Sequence, residues 1–206
     1  MFILQYLNDP IYLLFWATCI VLGITVHEAA HCWTSTKLGD PTPGLAGRVT
    51  LDPLAHLDPL GTLLIFLIGF GWGKPSPFNP TYFKHYKRDT ATVAIAGPTS
   101  NILFLLAAAL LLKISVTFGL PSLWDRFLAV AIEANLLLAV FNLIPIPPLD
   151  GSKLIYAILP DKYDETFHRL ETLGPLLILG LFLFGSALIM PIYTQLLDFI
   201  VRIFGL

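Results

Sequence analysis

Four stretches of this chain, residues 11–33, 91–112, 127–146 and 173–192, are long and apolar enough to cross a lipid bilayer. A crossing takes about 20 residues at 1.5 Å of helix rise each. Inside hydrocarbon every backbone N–H and C=O must find its partner within the protein, and a lone helix does this by itself. The expected fold is therefore an all-α polytopic membrane protein with about four transmembrane helices. Composition agrees, since 56% of the 206 residues are hydrophobic and only 13% are charged. A soluble domain carries about 25% charged residues, so an ordinary soluble globule is excluded. Disorder is excluded too, because it requires low hydrophobicity. A formal net charge of −2 provides no basic field for nucleic acid. Cys19 and Cys32 are too few for a disulfide framework and read as reduced, apolar side chains.

The remaining segments fit one domain spanning residues 1–206. Residues 60–72 form an apolar run too short to span, which suits a re-entrant piece. Residues 193–206 carry Asp198 and Arg202 at i, i+4 among apolar residues and suit an amphipathic helix on the membrane surface. Val49, Thr50 and Leu51 have strand character and suggest a small β-hairpin. Met1 to Pro10 contains Asp9 and neither Lys nor Arg, so it does not read as a cleaved signal peptide. Lys74, Lys84, Lys87 and Arg88 crowd one connection, and Lys153, Lys162 and Arg169 lie in another. The positive-inside rule makes both cytoplasmic, and Lys84, His85, Lys87 and Arg88 suit contact with anionic lipid.

The chemistry starts at His27-Glu28-Ala29-Ala30-His31. Positions i and i+4 share a helix face, so both imidazoles can reach one zinc ion. Glu28 is turned by about 100° and can address a water on that ion. Zinc lowers the pKa of such a water to about 7, and Glu28 would take its proton. Ionisable groups within a membrane span are expensive and mark function by default. A catalytic zinc needs a third protein ligand. His56, His85, His168, Glu133 and Asp150 are the candidates. Asp150 follows the proline-rich run Asn142-Leu-Ile-Pro145-Ile-Pro147-Pro148-Leu149, where a broken helix leaves backbone groups that need a wet or protein-lined site. The alternative is that Asp150 caps the next helix. His27 and His31 close the first span and Asp150 follows the third. They can meet only if these two helices run the same way, which requires residues 60–72 not to cross. Asn142 is either a donor to a substrate carbonyl or oxyanion, or a bond between helices. Asn101 and Asn135 read as such bonds. Gly23, four residues before His27, permits either a close approach or ordinary packing. Gly97-Pro98 kinks the second span or begins its regular part.

These motifs resemble the site-2 protease family of intramembrane zinc metalloproteases. The resemblance lies in His27 to His31, in Ala96-Gly97-Pro98-Thr99-Ser100-Asn101 and in Asn142 to Gly151. Two further stretches, Gly47-Arg48-Val49-Thr50-Leu51-Asp52-Pro53-Leu54 and Gly71-Trp72-Gly73-Lys74-Pro75, resemble its small stand-alone prokaryotic branch. It covers roughly residues 14–158. It implies that His27, His31 and Asp150 ligate one zinc ion, that Glu28 is the base, and that transmembrane proteins are cut. The helix directions and loop charges put the expected site within the bilayer toward the cytoplasmic side. A metal transporter or a catalytically silent binder of transmembrane segments is the alternative. Transporters of this kind are commonly built from repeats, and the sequence contains none.

Overall fold

The computed structural model describes residues 8–68 and 71–206; of Ile68, Phe182, Ser186 and Leu188 it describes the backbone alone. The helices are α1 (Pro10–Lys37), α2 (Thr42–Leu45), α3 (Pro53–His56), α4 (Pro59–Ile68), α5 (Tyr86–Phe118), α6 (Ser122–Asn142), α7 (Asp150–Ile158), α8 (Asp164–Thr172), α9 (Gly174–Phe184) and α10 (Ser186–Phe204). Single 3-10 turns lie at Pro80–Tyr82 and Asp161–Tyr163. Two of the described helices, α1 and α5, are long and apolar enough to cross a membrane.

Local chemistry sets the ends of α1, α5 and α6. Pro10 occupies the first turn of α1, and the Asp9 carboxylate accepts the Tyr12 N–H at 3.0 Å as its cap. α5 ends at Gly119, whose φ of +64° is the left-handed conformation that closes a helix without a Cβ clash. α6 stops at Asn142, four residues before the expected end of the third span. Pro145 biases Ile144 away from helical geometry, and Pro145, Pro147 and Pro148 donate no N–H.

Polar contacts give the helix directions. Arg126 pairs with Asp9, and Tyr12 donates to Glu133 at 2.9 Å. Further along, Gly23 faces Asn135, and His27 lies against Asp150. Numbers rise together on both strands of contact, so α1 and α6 run parallel. α5 runs opposite, because His31 meets Val93 while Gly23 meets Asn101. The core between them holds Trp16, Cys19, Ile20, Leu105 and small residues such as Ala109, Ala131 and Ala134. Small side chains let helices approach closely where no hydrophobic force drives them together.

Several expectations change. Residues 49–51 form no strand; among the described residues the β-pairing is one isolated antiparallel bridge, Leu57 to Gly73. The reason is local: the buried His56 ring bonds Thr50 O at 2.8 Å and folds the segment back on itself. The second span begins at Tyr86 rather than residue 91, and Pro98 lies inside α5 rather than at its start. The stretch expected as a fourth span, residues 173–192, is divided between two helices that meet at Gly185. Residues 193–204 do not form a helix of their own; they are part of α10, which sends Tyr193, Leu197 and Ile200 into the common core. Of the run 60–72, Gly69 and Phe70 lie outside the described residues. The helix in this region, α4, starts one residue earlier at Pro59 and has ten residues, about 15 Å of rise and too short to span. Gly61 and Gly71 pack backbone to backbone, so the chain returns past the helix it has just left.

Asp40, just beyond α1, organises the approach to the site. Its carboxylate accepts the Ser35 hydroxyl at 2.7 Å and the N–H groups of Thr42 at 2.9 Å and Asn79 at 2.7 Å. Burial pushes its pKa up, but these hydrogen bonds outweigh burial and hold it below the ordinary value. A depressed folded-state pKa means stability that is present above the unfolded value, about 3.9, and lost as pH falls through the folded one. Asp40→Ala leaves buried donors unpaired at about 1–3 kcal/mol each, not strictly additive. It is expected to destabilise the protein by about 2–4 kcal/mol at neutral pH. Unfolding followed against pH in detergent should show the difference from wild type shrinking below about pH 4.

Candidate metal centre and active site

His27 and His31 occupy one face of α1 at helical spacing, with ring centroids 4.6 Å apart. Asp150 is the first residue of α7, and Leu149 holds the cap position, so Asp150 is not the cap. The Asp150 Oδ2 atom stands 3.1 Å from His27 Nε2 and 3.3 Å from His31 Nε2. All three ligand atoms lie within 4.8 Å of one another. Gly151 makes this possible: a Cβ there would fall 2.2 Å from Leu143 O, so only glycine lets α7 start against the end of α6.

The far side of each ring fixes its tautomer. His31 Nδ1 lies 2.8 Å from Val93 O, and a carbonyl can only accept. His27 Nδ1 lies 2.7 Å from Asn101 Oδ1. The amide is oriented, because Asn101 Nδ2 donates to Gly23 O and to Asn135 Oδ1, both at 3.0 Å. Each Nδ1 therefore carries the proton, and each neutral ring presents its Nε2 lone pair inward. Those lone pairs face a buried carboxylate oxygen that has no hydrogen-bond partner. Three electron-rich atoms converging without a donor suit a cation. Ligands about 2.0–2.1 Å from a tetrahedral zinc stand roughly 3.3 Å apart, close to the separations of Asp150 Oδ2 from the two rings. Two neutral imidazoles and a carboxylate are also a known catalytic zinc set.

Glu28 is not one of the three converging groups, and it is held by a residue the sequence reading did not single out. The Ser76 hydroxyl donates to Glu28 Oε2 at 2.6 Å and lies 3.1 Å from Glu28 O; the Cys32 thiol donates to Ser76 at 3.3 Å. Ser76 sits between Pro75 and Pro77, which keep the backbone extended and supply no N–H. That Pro-Ser-Pro pattern is the signal that could have marked it. The segment is held from below by the buried Arg48, which donates to Lys74 O at 2.6 Å and Pro75 O at 3.3 Å.

The other expected residues are placed as follows. His56 lies outside the cluster and braces the loop around Arg48 and Thr50. His168 pairs with Glu171 at 2.9 Å, His85 precedes α5, and Glu133 accepts from Tyr12. The Asn142 Nδ2 donates to Leu138 O of its own helix at 2.9 Å. Asn101 and Asn135 join three helices, and Asn101 also meets His27. Lys87 pairs with Asp161 at 2.7 Å and Asp164 at 2.6 Å. Gly97 lies flat against both rings, and Gly23 accommodates Leu138 and Asn135 of α6.

The sequence profile of Peptidase family M50 matches residues 118–181. The chain is 36% identical over 194 residues to the Bacillus subtilis protein named "Putative zinc metalloprotease YwhC", covering 90% of this chain and 89% of that protein. It is 34% identical over 139 residues to Mycobacterium tuberculosis "Putative zinc metalloprotease Rip2", covering 64% of this chain and 52% of that protein. Over 190 residues it is 27% identical to zinc metalloprotease MJ0392 of Methanocaldococcus jannaschii, covering 88% of this chain and 46% of that protein. No solved structure matches. An all-helical protein with membrane-length apolar helices and these relatives is a zinc metalloprotease. Within that class, the chain belongs to the site-2 protease family, Peptidase family M50.

Proposed function

We propose that the protein is an intramembrane zinc metalloendopeptidase that hydrolyses peptide bonds in or near transmembrane segments of substrate proteins. His27, His31 and Asp150 hold one zinc ion, and Glu28 is the general base. The observation that carries this reading is the convergence of two tautomer-fixed Nε2 lone pairs on an orphaned carboxylate oxygen. Without a cation, that arrangement sets two lone pairs against an uncompensated carboxylate charge inside an apolar bundle. Zinc, when bound, supplies a Lewis acid for the scissile carbonyl and acidifies water.

The chain's own groups do the rest. Glu28 takes the proton of the attacking water and returns it to the departing amine. Ser76 holds Oε2 of that carboxylate, so its rotamer is set before substrate arrives. Asn142 serves as donor to the substrate carbonyl by exchanging its bond to Leu138 O for the substrate. A substrate helix hides its amides in its own bonds, so it unwinds before attack and offers extended backbone for pairing.

In this reading α1, α5, α6 and the α9–α10 pair are four crossings of the cell membrane, with α4 re-entrant. The site lies within the bilayer toward the cytoplasm. Support comes from the Lys87 bonds to Asp161 and Asp164 and to Leu159 O at 2.9 Å. They put the two Lys/Arg-bearing connections on one side of the bundle, as the positive-inside rule requires.

The test is metal analysis together with cleavage of a panel of transmembrane peptides by wild type and Asp150→Ala. Wild type is expected to carry zinc and cleave. Asp150→Ala is expected to lose both, because two imidazoles alone leave a zinc site one ligand short. Full zinc occupancy with normal turnover in that variant would remove Asp150 from the ligand set.

A further inference from the structure

We infer that Asn101 is a positioning residue that selects the tautomer of His27 and thereby sets metal affinity; the inference rests on the proposed ligand set. Asn101 is fully buried at the point where α1, α5 and α6 meet. Its Oδ1 lies 2.7 Å from His27 Nδ1. An amide can turn over and offer NH2 in place of oxygen, and then His27 would carry its proton on Nε2, the atom aimed at Asp150. Two acceptors prevent this. Gly23 O on α1 takes one Nδ2 hydrogen and Asn135 Oδ1 on α6 takes the other. Asn135 is itself oriented, because its Nδ2 donates to Ala131 O at 2.9 Å. The order therefore passes from the α6 backbone to Asn135, to Asn101, to His27, and ends at the lone pair on Nε2.

Gly23 belongs to the same device. A Cβ there would lie 3.0 Å from Asn135 Oδ1 and 2.5 Å from Leu138 Cδ1, so its absence lets α6 bring Asn135 within reach. The two histidines differ in this respect. His31 is fixed by a backbone carbonyl, which no side-chain substitution removes, whereas His27 depends on one amide.

The decisive comparison sets Asn101→Leu against Asn101→Asp in the full chain, purified in detergent. If Asn101 only fills space between apolar helices, leucine is the better substitute and a buried carboxylate the worse one. If it selects the tautomer, the order reverses, because a carboxylate accepts from Nδ1–H and has no donor to offer. Zinc affinity, read by competition with a chromophoric chelator, is expected to fall about 10–100-fold in Asn101→Leu and to stay within about threefold of wild type in Asn101→Asp. In metal-free protein carrying 15N-histidine, His27 should be Nδ1-protonated in wild type and Asn101→Asp and shift toward Nε2 protonation in Asn101→Leu. Should Asn101→Leu not fold, Asn135→Leu, which removes one of the two acceptors, should give a severalfold loss and the same shift. Zinc binding unchanged by the leucine variants, or lost equally in Asn101→Asp, overturns the inference. His27→Ala is measured alongside: wild-type zinc affinity in that variant would sink the ligand set itself and the inference with it.

Discussion

Glu28→Gln is expected to bind zinc as the wild type does and to hydrolyse transmembrane peptides about 10²–10⁴-fold more slowly, the usual contribution of a positioned base. Glu28 is absent from the group of atoms that converge, so the three proposed ligands are left in place. Glutamine has nearly the shape of glutamate and retains an oxygen for the Ser76 hydroxyl, so the Pro75–Pro77 segment has no reason to move. The one property removed is the capacity to accept a proton. The measurement is kcat with zinc content determined on the same preparation, because a fall in both would mean that Glu28 supports the ligands rather than the chemistry. Retained cleavage at full zinc would exclude it as the base. Unaltered zinc flux by the same variant in proteoliposomes would speak for transport instead.

The parts legible in the sequence were those governed by short-range rules. The pair His27 and His31 follows from helix periodicity alone. The direction of α6 relative to α1 followed from asking how their ends could meet. Asp150 was legible because prolines stop a helix in predictable fashion, although its place at the first turn of α7 rather than at the cap needed the approach of Gly151 to Leu143 O. What failed depended on contacts distant in the chain. Val49 to Leu51 has the residues of a strand, but no neighbouring strand is offered to it. The His56 ring takes the Thr50 carbonyl and the Arg48 guanidinium those of Lys74 and Pro75, and β-propensity is decided by such surroundings. Ser76 acquires its place only when a segment 48 residues after Glu28 returns to it. Residues 173–192 read as one span because hydropathy does not register a break between two apolar helices at Gly185.

Gly97→Ala should nearly abolish zinc binding, the largest effect expected from adding a single methyl group. A Cβ at this position would stand 2.5 Å from His31 Nε2 and 2.6 Å from His27 Nε2 and Cε1. Non-bonded heavy atoms prefer about 3.5–4.0 Å, so both rings would have to move by more than half an ångström. Neither ring is free to do so. His31 is tied at Nδ1 to Val93 O, one turn before Gly97 on the same helix, and His27 is tied to Asn101, one turn after it. α5 thus grips the far nitrogen of each ligand while Gly97 lets it lie against the near ones. The alternative, withdrawal of α5, would open the contact with α1 and α6 that buries Val93, Ala94 and Leu105. Changes in groups that merely support metal ligands weaken binding about 10–100-fold, and a methyl among the ligating atoms themselves should exceed that range. Gly44→Ala is the control, because no atom lies within 4 Å of the added Cβ. Zinc titration of both variants, with helical content and thermal unfolding followed in detergent, separates the outcomes. Zinc affinity in Gly97→Ala equal to that of Gly44→Ala would mean that the two imidazoles do not meet their cation on the face of α1 that Gly97 covers.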